Sequence, residues 1–422
     1  MQFHKKILPN GLRLITVPMK ESPTVTVMVL VEAGSKYEQK KISGISHFLE
    51  HMCFKGTLKR EKAIDIVKEL DGIGSQYNAF TSQEMTGYYA KSDQRHFKKI
   101  LDVVSDIYLH STLPKAEIEK EKGVIIEEIR MYEDLPPRHI SEVLMECLYG
   151  EQPAGFDVAG TEETVKAITQ SALFAYRSKH YVSGATAVVV AGNVDERVVE
   201  KEVARAFVAM HDGKKHGKTS VKEQQKRPEI AIEFKKTDQV HLAFGIRTFD
   251  LYHEDGTAMR LLSAILGGGM SSRLFQKMRD DLGICYYIGA SHQSYSDHGF
   301  LEITAGVPAA RLSEAIRAIL HEVRRLKSES VDKDELLRVK EYLIGNLYLG
   351  LESSDSLAEF YGYQEIMRKP LLRPSEIAAK VRAVNTSYLS RIAEAYLVNE
   401  HLNLALIGPI KNKKELEKLL HI

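Results

Sequence analysis

The alternation of apolar and polar positions divides the chain into two stretches with the same order of elements. Strands are predicted over residues 3–32: Ile7 to Val17 passes through the turn Pro9-Asn10-Gly11, and β-branched residues alternate from Thr24 to Val31. A short helix around His47 follows, then one over residues 61–71 that Gly72-Ile73-Gly74 breaks. Tyr77 to Thr81 and Thr86 to Ala90 read as two strands about a turn. Helices are predicted over residues 95–110 and 115–134, the second stopping at Pro136-Pro137. Ala185 to Val190 reads as a buried strand ending at Gly192. The second stretch repeats this order. Strands run from Ile230 to Thr248, helices cover Glu254 to Leu266 and Ala309 to Lys327, a long helix starts at Asp332, and the strand Leu402 to Ile407 ends at Gly408. The pattern predicts an α+β protein of two similar halves, each a mostly antiparallel sheet with helices packed on one side. The expected division is 1–215 and 225–422, joined by the polar stretch Asp212 to Lys226.

Within the first half, one helix carries unusual chemistry. His47-Phe48-Leu49-Glu50-His51 follows Ser43, an expected N-cap, and precedes Gly56, an expected stop. At about 100° per residue, His47, Glu50 and His51 share an arc of roughly 100°. Ile45, Phe48, Leu49 and Met52 occupy the opposite arc and can enter a core. Two histidines at i and i+4 can grip one metal ion, and a neighbouring carboxylate can act as general base. The same five residues, taken alone, also suit an amphipathic helix with two surface histidines. The repeat is asymmetric here: if Lys55-Gly56 matches Gly267-Gly268, the three positions become Met259, Leu262 and Ser263.

A zinc site needs a third protein ligand. The helix Glu117 to Asp134 offers Glu128, expected among Val124, Ile125 and Tyr132, where an unpaired carboxylate would be costly. Glu127 points away, and Glu121, two turns before Glu128, is expected to orient a ligating histidine.

Composition narrows the class. The chain has 422 residues, a formal net charge of +1 and three cysteines. That length fits two or more domains, and the charge offers no attraction to nucleic acid. Lys214-Lys215-His216 and the group Lys411, Lys413 and Lys414 read as solvated turns. Cys53, Cys147 and Cys285 have no paired spacing, which fits a reducing compartment. Residues Met1 to Lys6 lead straight into a strand-like run with no apolar signal segment, and no stretch reads as a membrane span, so a cytoplasmic location is expected.

Several motifs together resemble one known family. The run Gly44 to Met52 with Phe54-Lys55-Gly56-Thr57 carries the His-x-x-Glu-His pattern of inverzincins. It is similar to the pitrilysin and insulin-degrading-enzyme family, in particular the branch of mitochondrial processing peptidase and its bacterial relatives. Asn78-Ala79-Phe80-Thr81-Ser82 resembles the family's edge-strand motif, Val124 to Ile129 its third-ligand helix, and Gly267 to Phe275 with Arg279 to Tyr286 its second-half motif. The resemblance implies a zinc endopeptidase with one Zn2+ per chain, held by His47, His51 and Glu128, with Glu50 as general base and Glu121 in support. Arg279 and Tyr286 would touch substrate and steady the oxyanion, with Tyr287 the weaker alternative. Asn78, Ala79, Phe80 and Thr81 would accept an extended peptide as an added strand. The family's four-domain clamshell implies a homodimer, each subunit lending its Arg279 and Tyr286 to the other. Some relatives lose the zinc residues and serve as peptide-binding or scaffold subunits, which is the alternative reading.

Overall fold

Ile7 and Arg13 face each other across the first hairpin, and the sheet grows from there. The computed structural model describes residues 2–410 and 412–422, so Lys411 and Met1 lie outside the described residues. Strands β1 (His4–Ile7), β2 (Arg13–Pro18), β3 (Thr24–Val31), β4 (Gln76–Thr81), β5 (Thr86–Asp93) and β6 (Thr186–Gly192) form a sheet of order β1-β2-β6-β3-β5-β4. Strands β7 (Glu229–Phe234), β8 (Gln239–Arg247), β9 (Tyr287–Ser294), β10 (Gly299–Pro308) and β11 (Leu402–Gly408) form a second, of order β7-β11-β8-β10-β9. Only β2 with β6 and β7 with β11 pair in parallel among the described strands. The expected α+β class with two similar, mostly antiparallel halves is what the chain adopts.

Period-2 alternation explains the layers. Val25, Val27, Val29 and Val31 of β3 enter one core with Phe48, Leu49 and Met52 and with the helix Phe97–His110. The opposite face of β3 carries Thr26, whose hydroxyl lies 2.9 Å from Ser354 Oγ. The helix Ser354–Ile366 runs across that face. Gly362 permits the approach, since a Cβ there would stand 2.5 Å from Leu30 Cδ1. The buried Arg13 guanidinium, 2.9 Å from the Glu365 carbonyl oxygen, ties down the helix end. In the second sheet, Leu242, Phe244, Leu404 and Leu406 enter the main core, while Ala243, Ala405 and Ile407 meet Ile140, Leu144 and Leu148 of the helix Pro136–Tyr149.

The one-sided helix layer expected from sequence is thus completed by a single helix on the other face of each sheet. That helix comes from the opposite half of the sequence. The compact units are accordingly Met1–Ile129 with Phe156–Thr219 and Tyr348–Pro374, and Arg130–Gly155 with Ser220–Leu347 and Ser375–Ile422. Each is assembled from three segments rather than one continuous half. The physical reason is that the central strands bury both faces. Two local expectations also shift. Pro136-Pro137 ends one helix at Glu133 and then occupies the first turn of the next. Lys215 stays exposed and pairs with Glu32 at 2.6 Å, while Lys413 and Lys414 open the helix Lys413–Glu417 instead of lying in a turn.

Candidate metal centre

The motif helix spans Ile45–Cys53 and packs Ile45, Phe48, Leu49 and Met52 into the core, as its apolar arc predicts. Its N-cap is Gly44, not Ser43, and it ends before Phe54 rather than at Gly56. Gly44 stands at φ 90°, a conformation that suits glycine, and no side chain at the cap accepts from the first turn. Glu38 does so from a distance: its Oε2 accepts from Gly44 N at 2.7 Å and its Oε1 from Ser46 N at 2.8 Å. Burial pushes the Glu38 carboxyl up to about 8, and the Ser46 and Gly44 donors pull the other way.

The histidine faces meet Glu128. His47 Nε2 and His51 Nε2 lie 3.2 Å apart. Glu128 Oε2 is 3.7 Å from the first and 3.5 Å from the second. Ligand atoms of the three residues all fall within 4.8 Å of one another, and among the described residues no other such group of three occurs. Nitrogen ligands about 2.1 Å from a tetrahedral zinc stand roughly 3.4 Å apart, so the donor spacing fits that ion. Burial, with His51 beside it, pushes His47 down to about 4, which keeps it in the neutral form a metal requires. Among the described residues, the buried His47 Nδ1 has no hydrogen-bond partner.

Glu121 sits where its helical phase puts it. Its Oε1 is 2.8 Å from His51 Nδ1, and its Oε2 is 2.6 Å from Lys55 Nζ. Burial raises the Glu121 carboxyl, but the hydrogen bonds from His51 and Lys55 outweigh it and hold the group below its ordinary value. An ionised Glu121 fixes the His51 proton on Nδ1 and turns the Nε2 lone pair toward Glu128 and His47. The flank of Glu128 differs from expectation. Val124 is 52 % exposed, and the buried stripe is Ile118, Glu121, Ile125 and Ile126. The correction follows from phase: Ile118, Glu121 and Ile125 recur at i, i+3 and i+7, which leaves Val124 outside. Glu127 is exposed.

Thr81 closes the other side of the motif helix, its hydroxyl donating to Glu50 Oε2 at 2.5 Å. Burial raises the Glu50 carboxyl and the Thr81 hydrogen bond opposes that rise. Thr81 ends β4, an edge strand that pairs only with β5 among the described strands. Asn78 is exposed on it, Ala79 lies beside it, and the Phe80 ring covers Gly87 of β5.

Arg279 and Tyr286 lie together in the other unit. Arg279 sits in a π-helical turn, Gln276–Asp281, and donates to the Tyr286 carbonyl oxygen. Its neighbours are otherwise engaged: Asp280 accepts from Gln276 and Asp281 pairs with Lys277. The Tyr286 side chain is 73 % exposed. Tyr287 is committed elsewhere, its hydroxyl 2.9 Å from His241 Nδ1 and its pKa pushed up to about 12 by burial. Met259, Leu262 and Ser263, at the motif positions of the second half, are buried.

Sequence reasoning missed Lys55 and Glu38. Lys55 carried a signal, since it stands four residues after His51, a spacing that would share a side had the helix run on to Gly56, although the helix ends at Cys53. Glu38 carried none, because its partners are set by the turn between it and Gly44.

The chain is similar to known proteins over nearly its whole length. A family model described as Insulinase (Peptidase family M16) matches residues 13–162, and one described as Peptidase M16 inactive domain matches residues 167–343. The uncharacterized zinc protease YmxG of Bacillus subtilis is 37 % identical over 407 residues, covering 96 % of this chain and 97 % of its own. The uncharacterized zinc protease SCO5738 of Streptomyces coelicolor is 30 % identical over 416 residues, covering 96 % and 90 %. Among solved structures, a protease from Helicobacter pylori superposes with a TM-score of 0.89 at 22 % identity, over 97 % of this chain and 100 % of that one. That likeness shows the fold.

Proposed function

Because the chain belongs to the insulinase family, peptidase family M16, we propose that it is a zinc-dependent endopeptidase acting on extended peptides or unfolded segments. The observation that carries this reading is the convergence of His47, His51 and Glu128 donor atoms within 4.8 Å beside a carboxylate that is not one of them. His47, His51 and Glu128 would hold one zinc ion, which supplies a polarised carbonyl and a more acidic water at neutral pH. Glu50 takes the proton of the attacking water and returns it to the leaving amine. Glu121, backed by Lys55, orients His51. Asn78, Ala79, Phe80 and Thr81 receive the peptide as a strand added to the open edge of β4.

In this reading residues 1–215 supply the zinc-binding catalytic domain, completed by the helix Ser354–Ile366, and residues 225–422 supply a homologous domain without metal ligands that carries Arg279 and Tyr286. The pair donates to the oxyanion from the second subunit of a homodimer. The exposure of Tyr286, and the absence among the described residues of an acidic partner for Arg279, support such a role. Free cysteines support a cytoplasmic location, and no helix among the described residues is long and apolar enough to cross a membrane.

The test is mass spectrometry of products from a peptide library, with and without chelator, and with Glu50→Gln as control. Cleavage that survives both chelator and Glu50→Gln would falsify the reading. Elemental analysis separates the enzyme from a scaffold subunit: less than about half an equivalent of zinc per chain after chelator-free purification favours the scaffold. Mixing Glu50→Gln with Tyr286→Phe chains tests the homodimer, which requires activity to reappear in a confirmed mixed dimer.

A further inference from the structure

We infer that Thr81 is a positioning residue for Glu50, holding one carboxylate oxygen so that the other is the atom that moves the proton. The inference rests on the general-base reading of Glu50 given above. The Thr86 hydroxyl lies 3.0 Å from the Ala33 carbonyl oxygen, which can only accept, so Thr86 commits its one proton there. Thr81 and Thr86 are directly paired across β4 and β5, and their hydroxyl oxygens stand 3.4 Å apart. The Thr81 proton is therefore left for Glu50 Oε2, at 2.5 Å. No other hydrogen bond is made to the Glu50 carboxylate among the described residues. Oε2 is engaged and Oε1 remains available.

The backbone makes this hold stiff. Ser82 N donates to the Met85 carbonyl at 2.8 Å, closing the turn that follows Thr81. Ser82 and Gln83 in turn accept from Ser35 N and Lys36 N. A β-branched side chain on such a strand has few rotamers to explore. Thr81 is also the last residue of the open edge strand. The strand proposed to seat the peptide thus ends in the hydroxyl that aims the base, so that one rigid element sets the register of both. Threonine is suited to this in a way serine only partly is, since the methyl group restricts the hydroxyl's direction.

The experiment uses the zinc-loaded full chain and an unstructured fluorogenic peptide taken from the cleaved library. Thr81→Val keeps the shape and removes the donor. It is expected to lower kcat about tenfold or more, with KM within about twofold and bound zinc unchanged. Thr81→Ser returns the donor and is expected to bring kcat back to within about threefold of wild type. Crystals of the metal-free Thr81→Val chain read the same point without catalysis, the Glu50 carboxylate moving by about 1 Å or more from its wild-type place. Unchanged kcat, equal losses in both variants, an effect confined to KM, or an unmoved carboxylate each overturns the inference. Turnover at the wild-type rate by Glu50→Gln instead overturns the general-base reading, and the crystals still decide whether Thr81 holds Glu50.

Discussion

Glu121 Oε1 stands 2.8 Å from His51 Nδ1, and the same carboxylate reaches Lys55 with its other oxygen at 2.6 Å. A charge on one helix thereby fixes the tautomer of a histidine on another. Replacing Glu121 by Gln keeps an acceptor but removes the charge. Zinc affinity, read by competition with a chromophoric chelator, is expected to fall about tenfold. Lys55→Ala is expected to weaken it in the same direction by less, because Lys55 acts through Glu121.

Zinc should stabilise the folded chain by mass action. At a free concentration about 100 times its Kd, the gain is about 2.7 kcal/mol, visible as a rise in the thermal midpoint of the chelator-treated protein. His47→Ala should abolish that rise. A shift of equal size in His47→Ala would mean that zinc binds elsewhere.

A fragment ending near residue 215 lacks the helix Ser354–Ile366 and leaves one face of β3 and β6 bare. Arg13 also loses its Glu365 partners, leaving a buried guanidinium without its carboxylate. Such a fragment is expected to unfold without a cooperative transition in urea and to bind a hydrophobic dye. A sharp transition with native near-ultraviolet dichroism would show that the helix is dispensable.

His139 links two carboxylates, with Nδ1 2.7 Å from Glu142 and Nε2 2.8 Å from Glu233. The Glu142 hydrogen bond, together with Glu233 and against partial burial, raises His139 to about 9. The folded state thus binds the proton more tightly than the unfolded chain. The stabilisation is full below about pH 6.5 and is lost as pH rises through about 9. After discounting for solvent, His139→Gln should cost about 1–2 kcal/mol at pH 6 and little above about pH 9.5, by urea midpoints.

The Glu38 cap offers a different check. Glu38→Ala leaves Gly44 N and Ser46 N without their acceptor at a buried helix end. A loss of about 1–3 kcal/mol is expected. Faster hydrogen exchange at the start of the Ile45–Cys53 helix should accompany it.

The sequence by itself determined whatever depends on neighbours along the chain. Periods of 3.6 and 2 placed the motif helix, the edge hairpin and both central strands, because backbone geometry alone decides which side chains share a face. The same rule brought His47, Glu50 and His51 onto one arc and set Glu121 and Glu128 two turns apart. Tertiary structure decided the rest. Only folding brought Glu128 within 3.5 Å of His51 and Thr81 within 2.5 Å of Glu50. It also put Glu38 in the place that Ser43 was expected to fill, and exchanged one helix between the halves. Those pairings join segments far apart in the chain or separated by a turn, and no local period encodes them. They follow from central strands that must be covered on both faces, with whichever apolar helix the chain can bring there.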